Sequence, residues 1–278
     1  MIRIVSDTST MYSSQEAQKA GFNVSALSVS INGKSYREYD EINSERFMEL
    51  LQGGSIPTSS QPAIGEVAAL YEQYPEDEIL NITMAQGLSG TYDSAVTAAR
   101  LCDHGDRIHV FNSRTLCGPH RYLVEKAVQW VKEGATVPEI LERLEQKAQT
   151  AKSYLVPVDF EYLRRGGRLS HLVSYVGQVA KLMPIMTQTE DGRRITVSSI
   201  RRGFSHVFQY IGGALKKRGV GEGWKVYISH AACKQTAEQI LNSLKEFIPG
   251  ADFEIHLLSP AFIIQGGPRC VAVQIIEA

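Results

Sequence analysis

Three short polar runs hold hydroxyls in patterns suited to gripping an anion. Ser6-Asp7-Thr8-Ser9-Thr10 follows the apolar run 2–5. Pro57-Thr58-Ser59-Ser60-Gln61-Pro62 precedes a helical pattern that begins near Ile64, and Gly87-Leu88-Ser89-Gly90-Thr91 separates the apolar run 78–84 from another helical pattern. At the carboxyl edge of an open parallel sheet, hydroxyls and free N–H groups at helix starts converge on carboxylates or phosphates. Helix capping explains each run taken singly, because Ser and Thr stabilise N-caps. Three runs at one predicted edge favour a carboxylate or phosphate site. A fourth run, Glu161-Tyr162-Leu163-Arg164-Arg165-Gly166-Gly167-Arg168-Leu169-Ser170, pairs glycines that permit a tight turn with Arg168 as a bidentate anion donor. The alternative is a helix that ends at the glycines with solvated arginines.

Patterns for bond-making chemistry are missing. A hydrolase elbow needs G-x-S-x-G, whereas Gly87-Leu88-Ser89-Gly90-Thr91 places its second glycine one residue early. Walker and protein-kinase spacings are absent, and His104, His109 and His120 lack acidic or thiol partners at ligand spacing, so they read as surface or capping residues. Cys102, Cys117, Cys233 and Cys270 form no C-x-x-C pair and read as small buried side chains.

The elements that must position these groups alternate in the first half. Compact apolar runs at 2–5, 78–84 and 108–111 read as parallel strands, and residues 66–74, 91–101 and 122–131 carry helical apolar spacing. That alternation predicts a layered α/β domain over residues 1–156, interrupted near 24–40 by a hairpin turning at Asn32-Gly33. A helix over 138–150 and a strand at 154–157 lead to a second domain, 157–278. There Asp191-Gly192 predicts an antiparallel hairpin, helices cover 204–217 and 234–247, and strands cover 225–229, 253–258 and 271–276, an α+β pattern. Residues 172–186 are unusually apolar, which suits either core packing or an adaptable apolar cavity.

Composition fits this frame. The 278 residues are 43% hydrophobic and carry 29 Lys and Arg against 30 Asp and Glu, which argues against nucleic acid or an anionic membrane as partner. No apolar run approaches the roughly 18 to 20 residues needed to span a bilayer, and the first residues turn polar too early for a secretory signal. A cytoplasmic protein without stable membrane insertion is expected.

Taken together, Val5-Ser6-Asp7-Thr8-Ser9, Thr58-Ser59-Ser60-Gln61-Pro62, Gly87-Leu88-Ser89-Gly90-Thr91-Tyr92-Asp93-Ser94-Ala95 and Tyr162-Leu163-Arg164-Arg165-Gly166-Gly167-Arg168 resemble the DegV family of bacterial fatty-acid-binding proteins, with Pro268 matching near the end. The resemblance implies an N-terminal three-layer α/β domain with a parallel sheet, a C-terminal α+β domain and one long-chain fatty acid in the cleft between them. It implies a carboxylate held at Ser59 and Ser89, with Thr58, Ser60, Gly90, Thr91, Arg168 and Gln265 as further ligand-binding candidates. It also implies a non-catalytic subunit without metal or cofactor, which presents the carboxylate to an ATP-binding kinase subunit that makes an acyl phosphate. The alternative is an enzyme or sensor acting on a small phosphorylated or hydroxylated metabolite at the same site. Two departures stand out. Where many members carry Pro-Val-Ile-Gly-x-His-x-Gly-Pro-Gly, this chain has Pro260-Ala261-Phe262-Ile263-Ile264-Gln265-Gly266-Gly267-Pro268-Arg269, with Gln265 at the histidine and Arg269 at a glycine; Ser59 replaces a commoner threonine.

Overall fold

The computed structural model describes residues 1–169 and 182–278 and divides into two compact units. Unit 1 is Met1–Gln149 with Ser259–Ala261; unit 2 is Thr150–Leu258 with Phe262–Ala278. The division falls ahead of the strand Lys152–Val156, which the sequence reading assigns to the first domain. That strand hydrogen-bonds to two strands of the second sheet, and its backbone pairing decides its allegiance.

Unit 1 runs β1 (Ile2–Asp7), a 3-10 turn (Thr8–Thr10), α1 (Ser14–Ala20), β2 (Asn23–Ser25), β3 (Ser28–Ile31), β4 (Lys34–Arg37), α2 (Ser44–Leu51), β5 (Thr58–Ser60), α3 (Ile64–Tyr71), β6 (Glu78–Thr83), α4 (Thr91–Leu101), β7 (Ile108–Asn112), α5 (Cys117–Lys132) and α6 (Val137–Ala148). The strands β2-β1-β6-β7 form a wholly parallel sheet in that order. Val5, Ile79 and Ile108 point from it into a buried cluster with Val67 and Tyr71 of α3 and Ala98 of α4. α5 packs against β1 and α6 against α5, so helices cover the parallel strands as their near-continuous apolar runs require. α6 opens on a capping box, Thr136 with Glu139, with Pro138 in the first turn.

The hairpin turns at Asn32 and Gly33, with φ of 54° and 71°, as a type I′ turn demands. It is a three-stranded ribbon, not a two-stranded one, in the order β4-β3-β5, with Ser59 opposite Val29. The second hydroxyl run is therefore a strand of this ribbon and not a loop at the parallel sheet's carboxyl edge.

Unit 2 contains β8 (Lys152–Val156), α7 (Phe160–Gly166), β9 (Leu182–Gln188), β10 (Ile195–Arg202), α8 (Phe204–Lys217), β11 (Trp224–His230), α9 (Lys234–Phe247), β12 (Asp252–Leu257) and β13 (Val271–Glu277). α10 (Pro260–Gly266) begins in unit 1 and ends in unit 2. The sheet order is β10-β9-β8-β13-β11-β12, antiparallel except for β11 beside β12. Val207, Ile211 and Leu215 of α8 and Ile240 and Leu244 of α9 bury against Val226, Ile228, Val273 and Ile275 of the sheet. Each such fully buried aliphatic side chain contributes roughly 1.5–3 kcal/mol. Leu163 of α7 packs with Met186 and Leu155. Of the apolar stretch 172–186, residues 172–181 lie outside the described residues; Ile185 and Met186 are fully buried in β9. Among the described residues, no helix is long and apolar enough to cross a membrane.

Candidate functional site

The first hydroxyl run is sealed. Ser6, Asp7, Thr8, Ser9 and Thr10 are all 0% exposed, and their polar groups are matched within the protein. Asp7 accepts the Ser9 N–H through one carboxyl oxygen and the Met84 N–H through the other, both at 2.9 Å. Ser6 donates to the Ile82 carbonyl at 2.7 Å, and Thr10 to the Asp7 carbonyl at 3.0 Å. His120, on α5, belongs to this knot and is neither a surface nor a capping residue. Its Nε2 lies 3.0 Å from the Ile82 carbonyl, which can only accept, so that nitrogen carries the proton and Nδ1 accepts from Ser9 Oγ at 2.6 Å. Burial lowers the His120 pKa and keeps the ring neutral.

The second and third runs meet. Gln61, just beyond β5, lays its amide against Gly90, with Nε2 2.8 Å from where a Cβ on Gly90 would sit. Gly90 is the N-cap of α4 and lends no side-chain bond. Ser89 Oγ accepts the Thr91 N–H at 3.3 Å and shares a 2.8 Å hydrogen bond with Thr91 Oγ1. Thr91 is buried, Ser89 and Ser59 are half-buried, and Thr58 and Ser60 are exposed. The α4 N-terminus adds its partial positive charge beside this corner. Either hydroxyl can donate in that bond; when Thr91 donates to Ser89, the Ser89 proton points to another acceptor.

In unit 2, α7 ends at Gly167 in the left-handed conformation, φ 70°, the helix-ending geometry that the sequence leaves as one option. The half-buried Arg168 donates from its guanidinium to the Gly166 carbonyl, while its own carbonyl accepts the Ile195 N–H at 2.9 Å. The side-chain oxygen of Gln265, on α10, occupies the space a Cβ on Gly166 would need. Glycine at 166 is what allows Arg168 and Gln265 to share one corner. Arg269, also left-handed at φ 63°, is exposed. The structure thus brings Gln61, two residues after Ser59, against Gly90 between Ser89 and Thr91 in unit 1, and sets both Arg168 and Gln265 against Gly166 in unit 2. The thiols of Cys102, Cys117 and Cys270 are buried and that of Cys233 is half-buried.

Sequence reasoning passed over two residues that matter here. Gln61 lies inside a quoted run, yet nothing in its spacing marks it as the bridge. Glu38 lies in an exposed-looking ribbon and is fully buried; a charged residue next to β4 gives no signal of that.

Parallel and mixed sheets in separate units, with hydroxyls gathered at the start of α4, define a two-unit α/β protein. The chain belongs to the DegV family: the family model described as "Uncharacterised protein, DegV family" matches residues 1–278. It is 28% identical to Protein DegV of Bacillus subtilis (strain 168) over 260 residues, 91% of this chain and 90% of that protein. A DegV domain-containing protein of Staphylococcus aureus (strain N315) is 27% identical over 277 residues, 99% of this chain and 98% of the relative. Among solved structures, DegV from Bacillus subtilis, described as a fatty acid binding protein, aligns with a TM-score of 0.87 at 25% identity, covering 100% of this chain and 99% of that one. A DegV family protein from Thermus thermophilus aligns with a TM-score of 0.89 at 22% identity over 100% and 99%. One from Eubacterium eligens, loaded with heptadecanoic acid, gives 0.86 at 20% identity over the whole of both chains. The last two are likenesses of fold.

Proposed function

We propose that the protein binds one long-chain fatty acid and presents its carboxylate to a separate ATP-binding kinase subunit, which converts it to an acyl phosphate. The observation that carries this reading is the meeting of Gln61 with Gly90, which brings the Ser59 strand to the Ser89-Thr91 start of α4. Family membership over the full chain and the fatty acid named for the Bacillus subtilis DegV structure support it.

In this reading the acyl chain supplies the affinity. Each buried methylene contributes about 0.8 kcal/mol, so a chain of roughly 16 carbons gives on the order of 10 kcal/mol before ordering costs. Ser59 and Ser89 orient the carboxylate, with Thr91 polarising Ser89 and the α4 N-terminus favouring negative charge. Thr58, Ser60 and Gly90 frame that head group. Arg168 and Gln265 serve the acyl phosphate, with Gln265 supplying a neutral amide donor. The chain itself acts as carrier, and the phosphoryl transfer belongs to the partner. Bacterially expressed protein, extracted under denaturing conditions, should release a stoichiometric fatty acid of roughly 16 to 18 carbons, identified by mass. A sugar phosphate, or no lipid from protein shown to be folded, overturns the reading.

A further inference from the structure

Glu38 is a buried carboxyl for which lipid binding as described has no use. It follows β4 in the ribbon, its backbone N–H donates to the Leu27 carbonyl at 2.9 Å, and it is 0% exposed. One carboxyl oxygen accepts from Thr8 Oγ1 at 2.5 Å, and that hydroxyl accepts the Leu27 N–H at 3.0 Å. The other accepts the Ala261 N–H at 3.1 Å, with the fully buried Ser259 hydroxyl beside the same group. Ser259–Ala261 packs with unit 1 although it lies far beyond Gln149 in the chain, and it is the root of α10, the helix that carries Gln265. One carboxyl therefore ties three segments together: the Thr8 turn, the start of β3 and the α10 root.

The charged and titratable neighbours are few. Asp7, at the end of β1, repels a negative Glu38, and the Tyr39 phenol next in the ribbon is raised by burial first and by Glu38 second. Burial, with Asp7 as a minor contributor, pushes the Glu38 carboxyl up to about 7. Protonated, it donates to Thr8 Oγ1 and still accepts from Ala261. Ionised, it is a buried charge that gains from any opening that admits water.

We propose that Glu38 is a positioning residue, a clasp that holds the Ser259–Ala261 root of α10 on the Thr8 corner of unit 1 and thereby fixes the start of that helix. Its consequence for lipid retention rests on the lipid-binding reading; the clasp does not. The clasp tightens toward acid and slackens as pH rises through about 7.

Hydrogen–deuterium exchange of the full chain tests this at about pH 6 and about pH 8, after correction for intrinsic exchange. In the wild type, amides of residues 258–266 should lose protection by roughly tenfold toward the higher pH, while those of α9 do not. Glu38→Gln, which keeps an acceptor for Ala261 but cannot ionise, should hold the segment protected at both pH values. Glu38→Ala should expose it at both. The proposal is overturned by a Glu38→Gln response to pH that matches the wild type, or by Glu38→Ala exchange that rises no more at 258–266 than in β1 and β6. Should Glu38→Ala fail to fold, the wild type and Glu38→Gln decide the matter alone. Fatty acid retained per folded molecule is measured alongside: a wild type that never yields a fatty acid ends the lipid reading, and the exchange pattern still judges the clasp.

Discussion

Two corners of unit 1 are built from nearly the same residue types and come to opposite ends. At residues 6–10, every hydroxyl is at 0% exposure and spends its bonds on Asp7, Glu38, His120 and backbone carbonyls. At residues 58–61 and 89–91, Thr58, Ser60 and Gln61 are exposed, Ser59 and Ser89 are half-buried, and Ser89 accepts the Thr91 N–H and shares a hydrogen bond with the Thr91 hydroxyl. The difference lies in what surrounds the hydroxyls. The first set follows a central strand of the parallel sheet, where β6 and α5 close over it; the second lies on a ribbon strand and at a helix start. A hydroxyl run at a strand end thus signals a ligand only where the fold leaves it within reach of solvent, and the wild-type surroundings of each corner say which effect a substitution should have.

The sealed corner should fail by unfolding. Asp7→Ala strips two buried N–H groups, those of Ser9 and Met84, of their acceptor, at about 3–5 kcal/mol in total. At roughly 2–4 °C per kcal/mol, Tm falls by about 6–20 °C, while lipid retained per folded molecule stays at the wild-type level. A thermal melt with lipid quantified by mass checks both halves. A loss of lipid without a loss of Tm would erase the distinction between the corners.

The open corner should fail by losing ligand. On the proposed function, Ser59→Ala and Ser89→Ala each remove a donor to the bound carboxylate, and fatty acid affinity should drop by about 1.5–3 kcal/mol apiece, with Tm of the lipid-free protein little changed. Titration with a fluorescent fatty acid measures it. A double variant that binds as tightly as the wild type returns both serines to local structure.

How far the sequence foretells this depends on the kind of signal. Asn32-Gly33 and Asp191-Gly192 announce their hairpins because a tight turn restricts which residues can form it, and β1, β6, β7 and α4 show plain periodicity. β5 has no apolar alternation, since Thr58-Ser59-Ser60 is a strand only through its pairing with β3. α10 hides in the apolar run 261–264, which fits helix and strand alike. The hydroxyls of the open corner stand out as motifs. Which runs would be sealed was not legible, because the burial of His120 and Glu38 is set by contacts with residues 111 and 30 positions away.

His120 sharpens the comparison through pH. Its folded pKa lies below the usual 6.5, so between the two values the unfolded chain binds more protons than the native one. Its contribution is complete above about pH 6.5 and is lost as pH falls below that. Glu38 acts in the opposite sense, because its raised pKa makes the folded state lose stability as pH climbs from about 4.5 to about 7. A Glu38→Gln background removes the opposing slope and leaves His120 together with His230, which burial also lowers and which acts in the same sense. His120→Gln in that background should lower stability by about 1–2 kcal/mol near neutral pH and flatten the acid limb. Denaturant unfolding from about pH 5 to about pH 8 reads this, and an unchanged acid limb would remove His120 as its source.

The smallest effect is expected at Gln265, and it carries the comparison into unit 2. Its side chain rests on Gly166 beside Arg168 and cannot titrate near neutrality. If it stands at the head group as a neutral donor, wild-type affinity carries no histidine-linked dependence on pH. Gln265→His should then leave affinity near wild type at about pH 8, where the ring is neutral, and add a few-fold below its pKa of roughly 6.5, since an imidazolium attracts a carboxylate. The gain stays modest because Arg168 already supplies a fixed positive charge at that corner and spends part of its hydrogen bonding on the Gly166 carbonyl. The measurement is affinity for one fatty acid from about pH 5.5 to about pH 8 in both proteins, with the wild-type curve correcting for ionisation of the lipid itself. Superimposable curves would mean that position 265 does not sense the head group, leaving Ser59 and Ser89 to orient it without help from α10.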